Sequence, residues 1–256
     1  MKKLLIIALG IVLIGVSCTN DSEKSAQKKR DKSVENGVFA LKMNNIEVKD
    51  ETCDSSYAKC THVVISYPVF TEPKMNNVND LIRNRILYFM GQGDVETTKN
   101  LELKDAANNF IKEYAEFKTG FPDTDQFWMF RLKSRVSYVD NDKISILMAS
   151  DAYTGGAHAN QNQVYMNFDS HGNLLKAEDF IGDLDKLRAL AEANFRMRKG
   201  LKEGESLQDA GFNFPDNKFV LPSNIGIADS LYILHYNSYE ISGYSEGPTQ
   251  LLIKMS

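Results

Sequence analysis

The sequence predicts an α+β protein in which antiparallel β-hairpins and a meander pack with about three helices. Three observations carry this expectation. Short apolar/polar alternations of period two open and close the folded part of the chain. Two amphipathic segments of helical period stand between them, and a third precedes the last strands. The helices are grouped rather than alternating one by one with strands, which argues against a doubly wound parallel sheet.

The first strand is expected over Val38 to Val48, where Phe39, Leu41 and Met43 alternate with polar neighbours. Val63, Ile65 and Tyr67 repeat the pattern before Pro68, so the two strands form a hairpin. In the first helix Val78, Leu81, Ile82, Ile86, Phe89 and Met90 share a face. In the second Ala107, Phe110, Ile111, Tyr114 and Phe117 do so, with Gly120 and Pro122 ending it. Apolar residues at this spacing read as core rather than as a ligand box. A meander follows. Trp128, Phe130, Leu132, Val136 and Tyr138 are assigned to a packed face, and Met129, Arg131, Lys133 and Arg135 to a wet one. Ile144, Ile146 and Met148 continue in a second strand and Gln161 to Phe168 in a third. Asp183 caps a helix from Leu184 to Met197, with Leu187, Leu190, Ala191 and Phe195 inward. Lys218 to Leu221, Ile225 to Ile227, Leu231 to Tyr236 and Gln250 to Met255 are the closing strand candidates. No internal repeat of fixed period is found.

Before all this stands an envelope address. Lys2 and Lys3 precede the 13-residue apolar run Leu4 to Val16, and Ser17 precedes Cys18. A basic start, a short apolar core and small residues before a cysteine describe a secretory signal over residues 1–17. The run is short for a bilayer core that needs about 20 helical residues, so an uncleaved anchor requires a thinned bilayer. Gly15-Val16-Ser17-Cys18 resembles the lipobox of bacterial lipoproteins, with Gly15 where Leu is usual. That resemblance implies lipidation at Cys18 and export to a bacterial membrane, with neither the membrane nor its face specified. Residues 18–36 form the lipidated cysteine and its linker: nine of the 18 residues from Thr19 to Asn36 are charged, too polar to bury a core.

Loss of residues 1–17 removes two lysines and no acid, taking the formal charge from −4 to −6. Such an acidic chain is a poor nucleic-acid binder. A 43% hydrophobic and 10% aromatic content suits a packed domain. With Cys18 assigned to lipid, Cys53 and Cys60 are the remaining pair, between the first two strands. In an oxidising compartment a disulfide closing that hairpin is expected. Two free thiols or half a zinc site are the alternatives, although no second cysteine pair exists to complete a zinc site.

His158 is the sharpest candidate for binding. It follows Gly155 and Gly156, and Tyr153 flanks the same loop. The glycines answer either a backbone need of a bulge or turn, or close approach of a ligand. Tyr232, Tyr236, Tyr239 and Tyr244 lie close in sequence. Strand parity pairs Tyr232 with Tyr236 in packing, leaving Tyr239 and Tyr244 as surface candidates. A metal reading would recruit Asp169 and His171 to His158, but Asp169 to Gly172 has the composition of a turn. No metal site, cofactor or catalytic residue is assigned. Gly243-Tyr-Ser-Glu-Gly247 fits Gly-x-Ser-x-Gly in letters only, since it lies between two strand candidates and not between a strand and a helix, and no His-Glu-x-x-His helix is present. A glycosidase pair among the 34 acids cannot be placed by sequence.

Two further stretches carry a family resemblance. Tyr153-Thr-Gly-Gly-Ala-His158, then Asn167-Phe-Asp-x-x-Gly172-x-Leu174 and Glu178-Asp-Phe180, resemble the RsiV-type domain of unknown function. So does the ending Tyr236-x-x-Tyr239-Glu-Ile241, Tyr244-x-x-Gly247-Pro248 and Gln250 to Ile253. The strand Ile65-Ser-Tyr67-Pro68 and the two helices resemble the module that precedes it in RsiV and in the deacetylase PdaC. The resemblance implies an N-terminal module over 37–140 and an RsiV-type domain over 141–256, joined in one compact unit. In RsiV this ectodomain binds lysozyme. A cytoplasmic sigma-factor segment and a deacetylase domain are expected to be absent here. The expected function is therefore non-catalytic binding or sensing of a muramidase-like protein or of peptidoglycan. A cell-wall glycan hydrolase is the alternative of another class, and a structural envelope lipoprotein is a third.

Overall fold

A computed structural model describes residues 39–51, 53–54, 57, 59–91, 98 and 100–255. The signal peptide, Cys18 and the linker lie outside these described residues. The elements run β1 (Leu41–Lys49), β2 (His62–Phe70), α1 (Asn76–Phe89), α2 (Leu103–Gly120), β3 (Met129–Val139), β4 (Lys143–Tyr153), β5 (Asn160–Asp169) and β6 (Leu174–Leu175). They continue with α3 (Ala177–Phe180), α4 (Leu184–Lys199), β7 (Ile225–Ala228), β8 (Leu231–Tyr236) and β9 (Thr249–Lys254). The fold is α+β, with a six-stranded sheet in sequential order β1 to β6 and a three-stranded antiparallel sheet β7 to β9.

One pairing departs from the antiparallel expectation. β2 and β3 are parallel, His62 opposite Met129 through Ser66 opposite Lys133. The reason lies in the connection. A hairpin turn returns the chain antiparallel, whereas α1 and α2 carry it back to the starting end of the sheet, so the next strand enters in the same direction.

The two helices cover one face of this sheet. Val78, Ile82 and Ile86 of α1 and Ala106, Ala107 and Phe110 of α2 meet Val63, Ile65, Phe130, Leu132, Ile144, Ile146 and Met148, all buried. Burying a side chain of this size stabilises by about 1.5–3 kcal/mol, which is why both helices show their apolar stripe so plainly in the sequence. A second core joins α4 to the small sheet through Leu187, Ala191, Phe195, Leu234, Tyr236 and Leu251. Asp183 caps α4 by accepting from Lys186 N at 2.8 Å, and Gly200 closes it at φ +69°.

The expected division at 140/141 falls in the β3–β4 turn, inside one sheet. The change from the first core to the second comes between Phe168 and Ile181.

Four local expectations are corrected. Tyr138 leaves the packed face because the β3–β4 register shifts between Val136 and Tyr138, and Val139 returns to the core instead. Leu190 is 46% exposed on the outer side of α4, and Met43 is 47% exposed on edge strand β1. Lys218 to Leu221 is not a strand. A 3-10 turn at Pro215–Asn217 precedes it, Pro222 follows, and Phe219 plugs the second core against Phe195 and Tyr236.

Candidate ligand-binding cleft

Alternation along β3, β4 and β5 sends Arg131, Lys133, Ala149, Asp151, Gln161 and Gln163 to the face away from the helices. In register they form rows, Arg131 beside Asp151 beside Gln161, and Lys133 beside Ala149 beside Gln163. The small sheet covers one end of this face through β7. Ser137 Oγ donates to Ile227 O (2.8 Å), Ile227 N donates to Ser145 Oγ (3.2 Å) and Asn167 Nδ2 donates to Ile225 O (2.8 Å). Gly226 makes the approach feasible: a Cβ there would sit 1.9 Å from the Tyr165 ring.

The outer edge of β5 is clamped by two asparagines. Tyr165 N donates to Asn224 Oδ1, and Asn224 Nδ2 donates to Gln163 O, both at 2.8 Å. Gln163 N donates to Asn237 Oδ1 (2.8 Å), and Asn237 Nδ2 donates to Gln163 O (3.0 Å). Their carboxamides thus replace a neighbouring strand, satisfying main-chain groups that the interior would otherwise leave unpaired.

Beyond β7 the face stays open as a cleft of about 570 Å³. Arg131, Lys133, Asp151, Gln161 and Gln163 line it from the large sheet, and His235, Asn237, Ser238 and Pro248 from the small one. His235 is buried, and its Nδ1 lies 3.4 Å from Gln163 Nε2. Burial holds its ring below the ordinary imidazole value, against hydrogen bonds from Gln250 and Asn237 that oppose the shift.

Behind the opposite wall lies His62, fully buried. Arg131 Nε donates to its Nε2 at 2.9 Å, and its Nδ1 donates to Cys60 O at 3.0 Å. Arginine can only donate, so this arrangement fixes the neutral Nδ1–H tautomer. Burial lowers the His62 value, and the nearby guanidinium lowers it further. Cys53 and Cys60 are joined, with Cα atoms 5.2 Å apart, and their loop carries Tyr57 to the cleft wall. The Tyr57 ring lies 4.8 Å from that of His62, and its hydroxyl donates to Glu47 Oε1.

The aromatic candidates meet one another outside the cleft lining, with Tyr239 next in the chain to the lining residue Ser238. Residues 154–159 form the β4–β5 loop, and both Gly155 and Gly156 adopt φ +104°, a region that side chains rarely enter. At Gly155 a Cβ would also lie 2.7 Å from Gln126 Oε1. The backbone thus accounts for both glycines. His158 stacks on Tyr244 with ring centroids 3.6 Å apart and planes within 10°. Tyr239 lies 5.5 Å from Tyr244, and its hydroxyl is 3.5 Å from His158 Nε2. His158 Nδ1 donates to Ala159 O at 3.0 Å, so Nε2 is the acceptor facing Tyr239. Tyr153 stands apart: it packs on Phe127 and its hydroxyl donates to Gly156 O at 3.2 Å, bracing the loop.

His158, Tyr239 and Tyr244, treated as two places in the sequence, are therefore one place in the fold. Tyr239 is 66% exposed and Tyr244 38%, so their ring surface is available. Tyr232 and Tyr236 do share a strand face, but Tyr232 donates to Phe180 O and Tyr236 donates to Val220 O, each packing with different rings. Sequence reasoning missed His62, Asp151, Gln163, His235 and the Asn224–Asn237 clamp. The wet face of β3 was the one available signal for this cleft, and Gly226 within an apolar strand was the signal for the docking of β7. Among the described residues no group of three His, Cys, Asp or Glu side chains could hold a metal ion.

Fold and cleft together define the class, a two-sheet α+β protein whose larger sheet keeps part of one face open. The chain carries two recognised domains: a family model described as deacetylase PdaC matches residues 54–161, and one described as a protein of unknown function, DUF3298, matches residues 173–256. Together they mark an extracytoplasmic module of unknown function. No curated protein matches the sequence. Among solved structures, a DUF3298 family member from Bacteroides fragilis is similar at 20% identity, with TM-score 0.59 over 85% of this chain and 92% of that one. A DUF3298 family protein from Pseudomonas aeruginosa is similar at 18% identity, with TM-score 0.56 over 84% and 90%. At these identities the likeness concerns the fold.

Proposed function

We propose that this chain is an exported, lipid-anchored envelope protein that binds peptidoglycan glycan without transforming it. The lipid is carried by Cys18, and no helix among the described residues is long and apolar enough to cross a membrane. The observation that carries the binding reading is the exposed His158–Tyr239–Tyr244 cluster, in which Tyr239 directly follows the cleft-lining Ser238 in the chain. Exposed ring faces stack on the apolar faces of sugars, and amides and charges on the floor hydrogen-bond to their hydroxyl and N-acyl groups. The cleft volume of about 570 Å³ lies in the range of small-ligand sites. Asp151 is the one carboxylate among its lining residues, whereas the usual glycosidase arrangement uses two, which supports binding over hydrolysis.

A muramidase-like protein is the second reading. It is favoured by the exposure of Tyr239 and Tyr244, since tyrosine is enriched in protein interfaces. Calorimetric titration of the chain with peptidoglycan tetrasaccharide, beside a pull-down with lysozyme, separates the two. Saturable heat with the glycan and no lysozyme capture is expected. Lysozyme capture without glycan binding would replace this reading by the second. Cleaved sugar in the mass spectrum would overturn the non-catalytic assignment, and binding of neither would leave a structural lipoprotein.

A further inference from the structure

The floor of the cleft holds two groups that the protein itself leaves incomplete. Arg131 engages only its Nε, on His62 Nε2 at 2.9 Å. Its Nη groups have no partner among the described residues. Because His62 is fully buried and held from behind by Cys60 O, the guanidinium has a fixed anchor at the Nε side of its fork. Directly across the strand pair lies Asp151, whose Oδ1 is buried without a hydrogen-bond partner.

Charge adds an independent argument. Arg131, Lys133 and Arg135 share one strand face, and no ion pair among the described residues engages any of them. Opposite them on β4 stand Asp151, Ala149 and Leu147, a single acid against three bases. A chain of net charge −4 thus places two bases, Arg131 and Lys133, against a single acid, Asp151, among the described lining residues of this cleft. A planar guanidinium fork matches a carboxylate, which it can hold through two parallel hydrogen bonds.

We propose that Arg131, supported by Lys133, recognises the carboxylate of an acidic N-acylated amino sugar. The proposal rests on the glycan reading of the cleft and adds the specificity-determining residue to it. A neutral amino sugar would leave the guanidinium unmatched.

The test compares two tetrasaccharides on one backbone, titrated into the full chain in detergent micelles. One alternates N-acetylglucosamine with N-acetylmuramic acid and carries no stem peptide; the other is N-acetylglucosamine throughout. They differ only in the 3-O-lactyl ether, which replaces the hydrogen of a hydroxyl and brings the carboxylate; the salt dependence and the Arg131 variants isolate the part due to charge. The lactyl-bearing sugar is expected to bind about ten-fold tighter or more at low salt, the range of a charge-assisted contact. The preference should shrink as ionic strength rises. Arg131→Met should bring the two affinities within about two-fold of each other, and Arg131→Lys, which keeps the charge but not the fork, should retain only part of the difference. Equal affinities in the unmodified chain would overturn the carboxylate inference and leave the glycan reading standing. Binding of neither sugar would overturn both. Should Arg131→Met fail to fold, the salt dependence of the preference and its reduction in Lys133→Met decide the matter, and an unchanged preference in both counts against the proposal.

Discussion

The two faces of the six-stranded sheet are built from the same strands and have opposite fates. The face under α1 and α2 is closed by Phe130, Leu132, Ile144, Ile146 and Met148, all buried among helix side chains. The other face is divided. At one end β7 lies on Tyr165 and bonds through Ser137, Ser145 and Asn167; at the other Arg131, Lys133, Asp151 and Gln161 are left facing the cleft. Strand alternation thus lets one element serve stability on one side and recognition on the other. The covered face is mostly apolar, with Ser134 and Ser150 buried among the hydrophobic side chains. The open face has polar groups whose partners are partly absent from the protein, Asp151 Oδ1 being the plainest.

Breaking the covered face should have the largest effect. Phe130 is fully buried on the third of the six strands, so Phe130→Ala should cost about 3–5 kcal/mol, read by denaturant unfolding. A cost below about 1 kcal/mol would mean the first core is looser than described. The covered end of the other face should be less demanding. Gly226→Ala pushes a methyl into the Tyr165 ring, and about 1–3 kcal/mol of destabilisation is expected. Tyr165→Ala in the same chain should relieve that clash, so the two changes should be non-additive.

Acid should produce a smaller effect. Burial holds His62 and His235 below the ordinary value of 6.5 in the folded chain. The unfolded chain therefore takes up protons first as pH falls below about 6.5. Stability from the two neutral rings is full above that pH and is lost on descent towards their folded values. Unfolding free energy measured from neutral to mildly acid pH should fall in the native chain and fall less in His235→Gln. Identical slopes would remove His235 from the account.

The legibility of this molecule follows the same division. Helix and strand periodicity is written by burial, so α1, α2, α4 and the strands of the first core are readable from Val78, Ile82, Phe110 or Leu187 alone. The parallel β2–β3 pair was not, because local pattern does not encode the direction in which a two-helix crossover returns. Tyr138 was misplaced by one bulge, which shifts parity without leaving a mark in composition. Lys218 to Leu221 was misread because Phe219 faces a core from extended chain outside any sheet. At the site, His158, Tyr239 and Tyr244 were legible as residue types but not as neighbours. The separation of 81 residues between His158 and Tyr239 is closed only by docking the small sheet on the large one. Asn224 and Asn237 carried no signal, since an asparagine pairing a strand edge reads as a loop residue.

The central claim is that the exposed corner of the open face exists for a ligand and not for the fold. The most direct measurement is the paired stability and glycan affinity of His158→Ala and Tyr239→Ala, both in the exposed aromatic cluster. The account predicts unfolding free energies within about 0.5 kcal/mol of the native chain, as for surface substitutions. It predicts affinities for peptidoglycan tetrasaccharide weaker by about three- to ten-fold for each, the worth of an aromatic contact. Unchanged affinity with an intact fold, or a loss of stability that matches the loss of binding, would contradict it and return the corner to architecture.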